Sequence, residues 1–261
     1  MIFEELANSA KLHVNKAKEE ISTEEIKSMA YALPRSGFRF ERTLKQNGLS
    51  FICEIKKASP SKGIIAEDFP YLCIAKEYTE AGADCISCLT EPTKFLGSDQ
   101  IFREIRSITN VPMLRKDFTV DEYQIYETKV MGANAVLLIC AFLDTKTLAR
   151  YLKICDTLGM TALFETHDET EISTAVSVGA RVIGVNNRNL KDFSVDISNS
   201  VRLRDKIPPE IAFVAESGIS CAADVAMMAK AGADAVLVGE VLMRSADKKA
   251  LLNSFREAAK W

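Results

Sequence analysis

Eight short apolar runs rich in β-branched residues recur along the chain. They lie at 50–55, 84–89, 111–114, 134–139, 160–165, 181–186, 211–216 and 234–239. Amphipathic stretches with helical periodicity separate most of them. Runs that are apolar at nearly every position predict strands of a parallel sheet that is buried on both faces. Eight such strands alternating with helices predict an α/β fold, the closed (β/α)8 TIM barrel.

A short internal repeat supports this prediction. Each copy stands directly before an even-numbered strand, and about fifty residues separate the copies. The four copies are AGAD (81–84), MGAN (131–134), VGAR (178–181) and AGAD (231–234). Each predicts a glycine that ends a helix and is followed at once by a strand. The spacing of two βα units fits a barrel of four similar quarters, although the short turns of any parallel sheet could favour the same phrase.

The segment before the first strand, residues 1–48, is rich in Lys and Glu. Helical patterns cover 7–20 and 23–33, with a break at LPRS (33–36). We expect an N-terminal helical extension that covers one barrel end. It is short and polar, so the whole chain, 1–261, is interpreted as a single barrel domain, a length that suits this fold.

Composition and charge narrow the classes of partner. The chain is 48% hydrophobic and 26% charged, so a large core can form without metals or disulfides. A net charge of −3 gives no general attraction to nucleic acid or to an anionic membrane. The charged N-terminus resembles neither a signal peptide nor a spanning helix. We expect a cytoplasmic protein, without nucleic-acid or membrane partners, that is a monomer or a weak homo-oligomer.

The seven cysteines show no disulfide framework. Cys85 and Cys88 form a CxxC, but both lie in a predicted strand, where residues three apart point to opposite faces. Zinc would also need further ligands, and the histidines of the chain are His13 and His167 alone. Buried reduced thiols are therefore favoured over a redox or metal site, and no metal is expected.

Polar residues collect at the carboxyl ends of the predicted strands, where barrel active sites form. They are Glu54 and Lys56 after strand one, Lys116 after strand three, Glu165 after strand five, Asn186 and Arg188 after strand six, Glu216, Ser217 and Gly218 after strand seven, and Gly239 and Glu240 after strand eight. Charged residues inside a barrel mouth must be paired or functional, because isolated buried charges are costly. A purely stabilising ion-pair network is the alternative interpretation.

Two glycine-containing phrases indicate an anion site. ESG (216–218) follows strand seven, and VGE (238–240) closes strand eight. Glycine lets backbone amides approach an anion, and this part of a barrel mouth commonly binds phosphate. The pair predicts a small phosphorylated substrate.

Several longer blocks carry a family resemblance across essentially the whole chain. In order they are FICEIKKASPSKG, LTEPTKFLGS, PMLRKDF, VLLI, LFETHDE, IGVNNRNL, VAESGIS and AVLVGEVLMR. Together they resemble the indole-3-glycerol phosphate synthase family. The resemblance implies a carbon–carbon lyase of tryptophan biosynthesis that closes the ring of 1-(2-carboxyphenylamino)-1-deoxyribulose 5-phosphate, with loss of carbon dioxide and water. It implies no cofactor and no metal.

The same resemblance implies roles for the central charged residues. Lys116 matches the general acid that protonates the substrate carbonyl, and we expect neighbouring cations and burial to lower its pKa. Glu165 matches the general base of the later dehydration. Lys56 matches a lysine that faces the substrate carboxylate, and Glu54 would orient the lysines. Asn186 is placed with these catalytic residues.

Further positions match substrate contacts by resemblance. Ser59 and Arg188 match polar contacts, and Glu216 belongs to the mouth of strands seven and eight. The apolar ring of the substrate would lie against Phe95, Phe118, Leu137, Leu190 and Leu237, although a core role is an alternative for the leucines. The phosphate site would comprise Ser217, Gly218, Gly239 and Glu240. Only the backbone amide of Glu240 could help there, so its carboxylate must turn away from the phosphate.

Two other functions fit the architecture. Phosphoribosylanthranilate isomerase shares the barrel and its phosphate site, but it relies on a Cys and Asp pair at strand ends. Here Cys53 precedes Glu54 within the strand, and strand six ends in Asn186. A non-catalytic metabolite-binding barrel would predict a degraded acid and base set, whereas Lys116 and Glu165 are both present.

Overall fold

The structure is a computed structural model that describes residues 2–46, 48–189 and 191–260. Its strands are β1 (Ser50–Ile55), β2 (Ala58–Ser59), β3 (Gly63–Ile64), β4 (Cys85–Leu89), β5 (Met113–Lys116), β6 (Ala135–Ile139), β7 (Thr161–Thr166), β8 (Val182–Asn186), β9 (Ala212–Glu216) and β10 (Ala235–Val238). Its α-helices are α1 (Ile2–Glu20), α2 (Thr23–Ala32), α3 (Arg39–Leu44), α4 (Tyr71–Glu80), α5 (Asp99–Ile108), α6 (Glu122–Val130), α7 (Thr145–Leu158), α8 (Glu169–Ser177), α9 (Ser198–Leu203), α10 (Ala222–Lys230), α11 (Glu240–Arg244) and α12 (Lys248–Ala258). A 3₁₀ helix covers Arg204–Lys206.

Eight parallel strands close into a barrel in the order β1, β10, β9, β8, β7, β6, β5, β4. Each apolar run found in the sequence forms one of them, and the predicted (β/α)8 barrel is confirmed. The strand expected at 111–114 instead covers Met113–Lys116. Its last two residues are Arg115, which is buried, and Lys116, which is half-buried. Both are charged, so an apolar pattern could not include them. A turn at 60–62 joins the short antiparallel pair β2 and β3.

The four repeats end helices and align strands. Their glycines, Gly82, Gly132, Gly179 and Gly232, all have a positive φ, between 79° and 88°, which favours glycine at the end of a helix. In three copies the last side chain accepts a hydrogen bond from a backbone N–H of a neighbouring strand. The pairs are Asp84 with Phe51, Asn134 with Met113, and Asp234 with Phe213. The repeat therefore fixes where adjacent strands begin.

Alternation along the strands separates two hydrophobic layers. Inward residues such as Leu114 and Leu163 fill the barrel, and outward residues such as Phe164 pack against the surrounding helices. Cys85 belongs to the interior and Cys88 to the outer layer. The prediction that these two cysteines point to opposite faces is confirmed.

The N-terminal helices contact both ends of the barrel, where the sequence suggested one. Helix α3 buries Phe40 and Leu44 in the interior cluster, and the backbone N–H of Glu41 donates a hydrogen bond to Thr161 Oγ1, at the start of β7. Helix α2 packs against α6. Helix α1 places Leu6 at the opposite mouth, among residues at the strand carboxyl ends. Among the described residues, no helix has the length and apolar character needed to cross a membrane.

Candidate active site

A cavity of about 580 Å³ opens at the carboxyl ends of the barrel strands. The predicted site residues that the structure describes all line it. They are Glu54, Lys56, Ser59, Phe95, Lys116, Phe118, Leu137, Glu165, Asn186, Arg188, Glu216, Ser217, Gly218, Leu237, Gly239 and Glu240. Leu190, also expected in the apolar lining, lies outside the described residues. Barrel closure thus brings residues from all eight βα units to one space.

The ammonium of Lys116 lies at the centre of the charged groups. It ends β5 and donates hydrogen bonds to Glu165 Oε2 at 2.7 Å and to Glu216 Oε2 at 3.0 Å. Both carboxylates are almost fully buried, with 5% and 2% of their side chains exposed. The three groups come from β5, β7 and β9, which are alternate strands, so their side chains meet in one layer of the barrel.

The electrostatics of Lys116 correct the expectation of a lowered pKa. Burial by itself lowers the pKa of this amine, but the surrounding carboxylates of Glu165, Glu216 and Glu54 outweigh it and raise the pKa above the ordinary lysine value. Its close neighbours are anions rather than the cations that the sequence suggested. Lys116 is therefore a firmly charged ammonium in this arrangement.

The two carboxyls beside Lys116 are shifted in opposite directions. Burial raises the pKa of Glu165, but Lys116, His167 and Asn186 together bring it below its usual value, so Glu165 is ionised. Burial raises the pKa of Glu216 to about 7, and the attraction of Lys116 only partly offsets this. Glu216 Oε1 is buried with no hydrogen-bond partner among the described residues. Opposite shifts separate a carboxylate that can accept a proton from one that readily holds it.

Glycine at the neighbouring strand leaves room for the Glu216 carboxylate. A Cβ at Gly184, on β8, would lie 2.0 Å from Glu216 Oε1 and 3.3 Å from Leu163 Cδ1. A side chain at that position would displace the carboxylate, because all these atoms are inside the barrel.

A second lysine and carboxylate pair lies on β1 and just after it. Lys56 Nζ is 2.5 Å from Glu54 Oε1, and both side chains are mostly buried. Gly239 faces them, since a Cβ there would meet Glu54 Oε1 at 2.6 Å and Lys56 Nζ at 3.1 Å. The pair agrees with the expectation that Glu54 orients a lysine at the mouth.

The ESG phrase forms a turn with unusual backbone angles. Ser217 has φ 67° and Gly218 has φ 87°, so both lie in the left-handed region, which costs a non-glycine residue energy. Asn187 holds this turn by donating from Nδ2 to the Ser217 carbonyl at 3.0 Å. Its Oδ1 in turn accepts from the backbone N–H and hydroxyl of Ser200, at 3.0 and 2.8 Å. The strained turn is thus fixed by a buried side chain.

The VGE phrase lies beside this turn and begins α11 at Glu240. The Glu240 carboxylate lies 3.8 Å from Lys62 Nζ and 3.2 Å from Arg244 Nε. Both cations also line the cavity, so this side of the mouth carries positive charge that the sequence analysis had not assigned.

The remaining polar residues of the mouth are held by local bonds. Asn186 Oδ1 accepts from the Arg188 backbone N–H at 3.0 Å, and the Arg188 guanidinium donates to the Phe193 carbonyl at 3.0 Å. Burial lowers the pKa of Arg188, although Glu240 and Glu54 act against this. Ser59, in β2, is buried at the rim.

The opposite side of the cavity is apolar. Phe118 packs against Phe95 and Phe142, with ring centroids 6.5 and 5.7 Å apart. Leu137 and Leu237 are buried inside the barrel below them. Since Phe95 and Phe118 follow β4 and β5, and the ESG and VGE phrases follow β9 and β10, the barrel order separates the aromatic side chains from the two glycine-containing phrases.

Sequence reasoning missed several lining or supporting residues. They are Leu6, Lys62, Ile139, His167, Asn187 and Arg244. Leu6 belongs to a helix remote in sequence, and no local pattern places it at the mouth. His167 and Asn187 could have been found from their positions just beyond β7 and β8, where strand ends meet.

Comparison with known proteins agrees with this geometry. A family model described as indole-3-glycerol phosphate synthase matches residues 3–255. The chain belongs to this family. An indole-3-glycerol phosphate synthase of Ruminiclostridium cellulolyticum is 54% identical over 99% of this chain and all of that protein. One of Lacticaseibacillus casei is 47% identical over the same share of each.

Solved structures support the fold. A 3-hexulose-6-phosphate synthase from Salmonella typhimurium superposes with a TM-score of 0.66 at 14% identity, over 81% of this chain and 98% of that one. A (S)-3-O-geranylgeranylglyceryl phosphate synthase from Thermoplasma acidophilum gives 0.57 at 17% identity, over 84% and 96%. At such identity these likenesses bear on the barrel alone.

Proposed function

We propose that this chain closes the indole ring of tryptophan biosynthesis through the charged groups around Lys116. The reaction is that of its family: 1-(2-carboxyphenylamino)-1-deoxyribulose 5-phosphate gives indole-3-glycerol phosphate, carbon dioxide and water. The chain is thus a carbon–carbon lyase. The phosphorylated substrate supplies an aromatic acid at one end and a phosphate at the other, and the cavity has a matching apolar side and glycine-rich side.

Lys116 is the general acid of ring closure. As the aromatic carbon attacks the ketone carbon, the ketone oxygen gains negative charge and takes a proton from the Lys116 ammonium. The high pKa of Lys116 does not oppose this, because an alkoxide is a stronger base than an amine. The ring carboxyl then leaves as carbon dioxide, and its bonding electrons remain in the ring system. Lys56 is the cation that we place beside this carboxyl.

Glu165 is the general base of the dehydration. Its lowered pKa keeps it ionised, so it can accept the ring proton as the ring becomes aromatic, while Lys56, in the same cavity, gives the departing hydroxyl the proton with which it leaves as water. Asn186 and Glu54 position these groups, and Glu216 shares the Lys116 ammonium with Glu165. Each acid or base group of this kind contributes roughly a hundredfold to ten-thousandfold in rate.

The substrate ends are held on opposite sides. The backbone amides of Gly218, Gly239 and Glu240, with Ser217 beside them, bind the phosphate. Phe95, Phe118, Leu137, Leu190 and Leu237 enclose the aromatic ring, and Ser59 and Arg188 contact its polar groups. The Glu240 carboxylate pairs with Lys62 and Arg244, which supports the proposal that only its amide faces the phosphate.

One observation carries this proposal. The Lys116 ammonium is hydrogen-bonded to both Glu165 and Glu216 inside the barrel cavity of a chain that belongs to this family. Its test is to add the carboxyphenylamino-deoxyribulose phosphate to the purified chain and to follow indole fluorescence and carbon dioxide release. We expect both signals in equal amounts. Turnover of phosphoribosylanthranilate instead, with neither signal, would favour the isomerase.

Location and assembly belong to the same proposal. We place the enzyme in the cytoplasm, as a monomer or weak homo-oligomer and as one barrel domain over 1–261. Sedimentation of the purified chain over a range of concentrations tests the assembly state.

A further inference from the structure

A histidine beside the proposed base has no role in the chemistry above. His167 lies two residues beyond Glu165, just past the end of β7. Its Nε2 is 3.5 Å from Glu165 Oε1, and its Nδ1 is 3.0 Å from Glu171 Oε2, on α8. The imidazole ring therefore lies between two carboxylates, and only 14% of its side chain is exposed.

Bonds on the far side fix the ring. Glu171 Oε2 also accepts the backbone N–H of His167 at 2.8 Å, so one oxygen holds the residue at two points. The His167 carbonyl accepts from Asn199 Nδ2 at 3.2 Å. The ring is thus anchored to α8 and α9, and its buried Nε2, which has no hydrogen-bond partner among the described residues, lies 3.5 Å from Glu165 Oε1.

The geometry determines where the protons lie. A carboxylate only accepts hydrogen bonds, so Nδ1 must carry a proton toward Glu171. A neutral ring would then leave its partly negative Nε2 3.5 Å from an oxygen of Glu165, which is repulsive. A protonated ring bonds Glu171 through Nδ1 and places its positive charge beside Glu165, so the imidazolium form fits the site.

Electrostatics support the same form. Burial disfavours the charged ring, but Glu171, Glu165 and Glu216 outweigh it and raise the pKa of His167 above its ordinary value. Cys140 adds no charge, because burial raises its pKa to about 12 and keeps it a neutral thiol. The described charges around the ring are therefore three carboxyls, beyond which lies Lys116.

We infer that His167 is a positioning residue whose imidazolium keeps the Glu165 carboxylate ionised and in place while Lys116 donates its proton. This inference rests on the proposed function. When the Lys116 proton moves to the substrate oxygen, Lys116 becomes neutral and Glu165 loses its nearest cation. The His167 charge on the other oxygen remains, so Glu165 is still an anion when the ring proton must be taken. The Lys116 proton goes to the alkoxide and the ring proton to Glu165.

A pH profile separates this role from a merely structural one. Removing the cation raises the pKa of Glu165, so in His167→Ala the acidic limb of kcat should move up by about one pH unit. Below that limb kcat should fall about tenfold, with KM changed far less. His167→Gln keeps a neutral amide near Nε2 and should shift the limb similarly. The control is Glu169→Gln, on α8 like Glu171 but exposed and paired with Lys206. It should leave the pH profile unchanged.

A spectroscopic titration tests the charge without using turnover. The chain has two histidines, and His13→Gln assigns their NMR signals. We expect His167 to titrate above the free histidine value of about 6.5 and Glu171→Gln to lower that midpoint. Titration of His167 at or below that value would overturn the inference, as would an unmoved acidic limb in folded His167→Gln. If the wild type makes no indole product, the proposed function fails, and the titration still decides the charge of His167.

Discussion

The Lys116 ammonium lies 2.7 Å from the Glu165 carboxylate, so the proposed acid and base of the reaction are hydrogen-bonded to each other. Glu216 bonds the same ammonium from the other side, at 3.0 Å. Each of the three groups therefore sets the protonation of the other two. Substitutions at any one of them should change pH behaviour as well as rate.

Glu165→Gln should remove the base while keeping a partner for Lys116. The amide cannot take the proton of the dehydration step, so we expect kcat to fall about a hundredfold to ten-thousandfold. KM should change little, since the cavity keeps its shape. Steady-state fluorescence assays measure this, with the exposed Glu257→Gln as control. A variant within tenfold of wild-type kcat would remove Glu165 from the role of base.

Glu216 should make stability depend on pH near neutrality. Its folded pKa of about 7 lies above its ordinary value of 4.5, so its contribution is fully present below 4.5 and is lost as pH rises through 7. Relative to Glu216→Gln, the wild type should therefore lose roughly 3 kcal/mol of unfolding free energy between pH 4.5 and 8. Urea unfolding across this range measures the difference. If the unfolding free energies of the two proteins changed in parallel with pH, Glu216 would be ionised in the folded protein across this range.

The sequence predicted the barrel well because buried parallel strands leave a clear apolar signal. It also placed Glu54, Lys56 and Glu165 at the mouth, since strand alternation determines which side chains share a face. The third strand was displaced by two residues, because Arg115 and Lys116 interrupt the apolar pattern. Arg115 points outward and is buried against Asp99 and Glu127, a pairing that no local pattern reveals.

Distances between separate strands could not be predicted. Lys116 and Glu216 are 100 residues apart, and only barrel closure brings their side chains together. The direction of the Lys116 pKa was therefore wrong, because it depends on which charges become neighbours. The same applies to Leu6, which reaches the mouth through the path of α1 over the barrel.

Gly184→Ala should damage the site without touching the substrate. The added methyl group would collide with the Glu216 carboxylate and press on Leu163. We expect a loss of about 1–3 kcal/mol in unfolding free energy and a clear fall in kcat. Adding Glu216→Ala should cost less in this background than in the wild type, because it removes the carboxylate with which the new methyl group collides. Additive effects of the two substitutions would contradict the proposed contact.

Asn187→Ala should weaken phosphate binding through the turn that it holds. Without the bond to the Ser217 carbonyl, the left-handed turn loses its support and its amides become mobile. We expect KM to rise about tenfold, with kcat within threefold, because a buried hydrogen bond of this kind contributes about 1–1.5 kcal/mol. Inhibition by inorganic phosphate should weaken in parallel. An unchanged KM and inhibition constant would show that the turn does not hold the phosphate.

The most direct test of the account is single-turnover indole formation by Lys116→Ala beside the wild type, with thermal unfolding to confirm that the variant folds. The account predicts rapid fluorescence from the wild type and a rate at least a hundredfold lower from folded Lys116→Ala, with substrate still bound. Indole formation at a similar rate in both would contradict Lys116 as the acid.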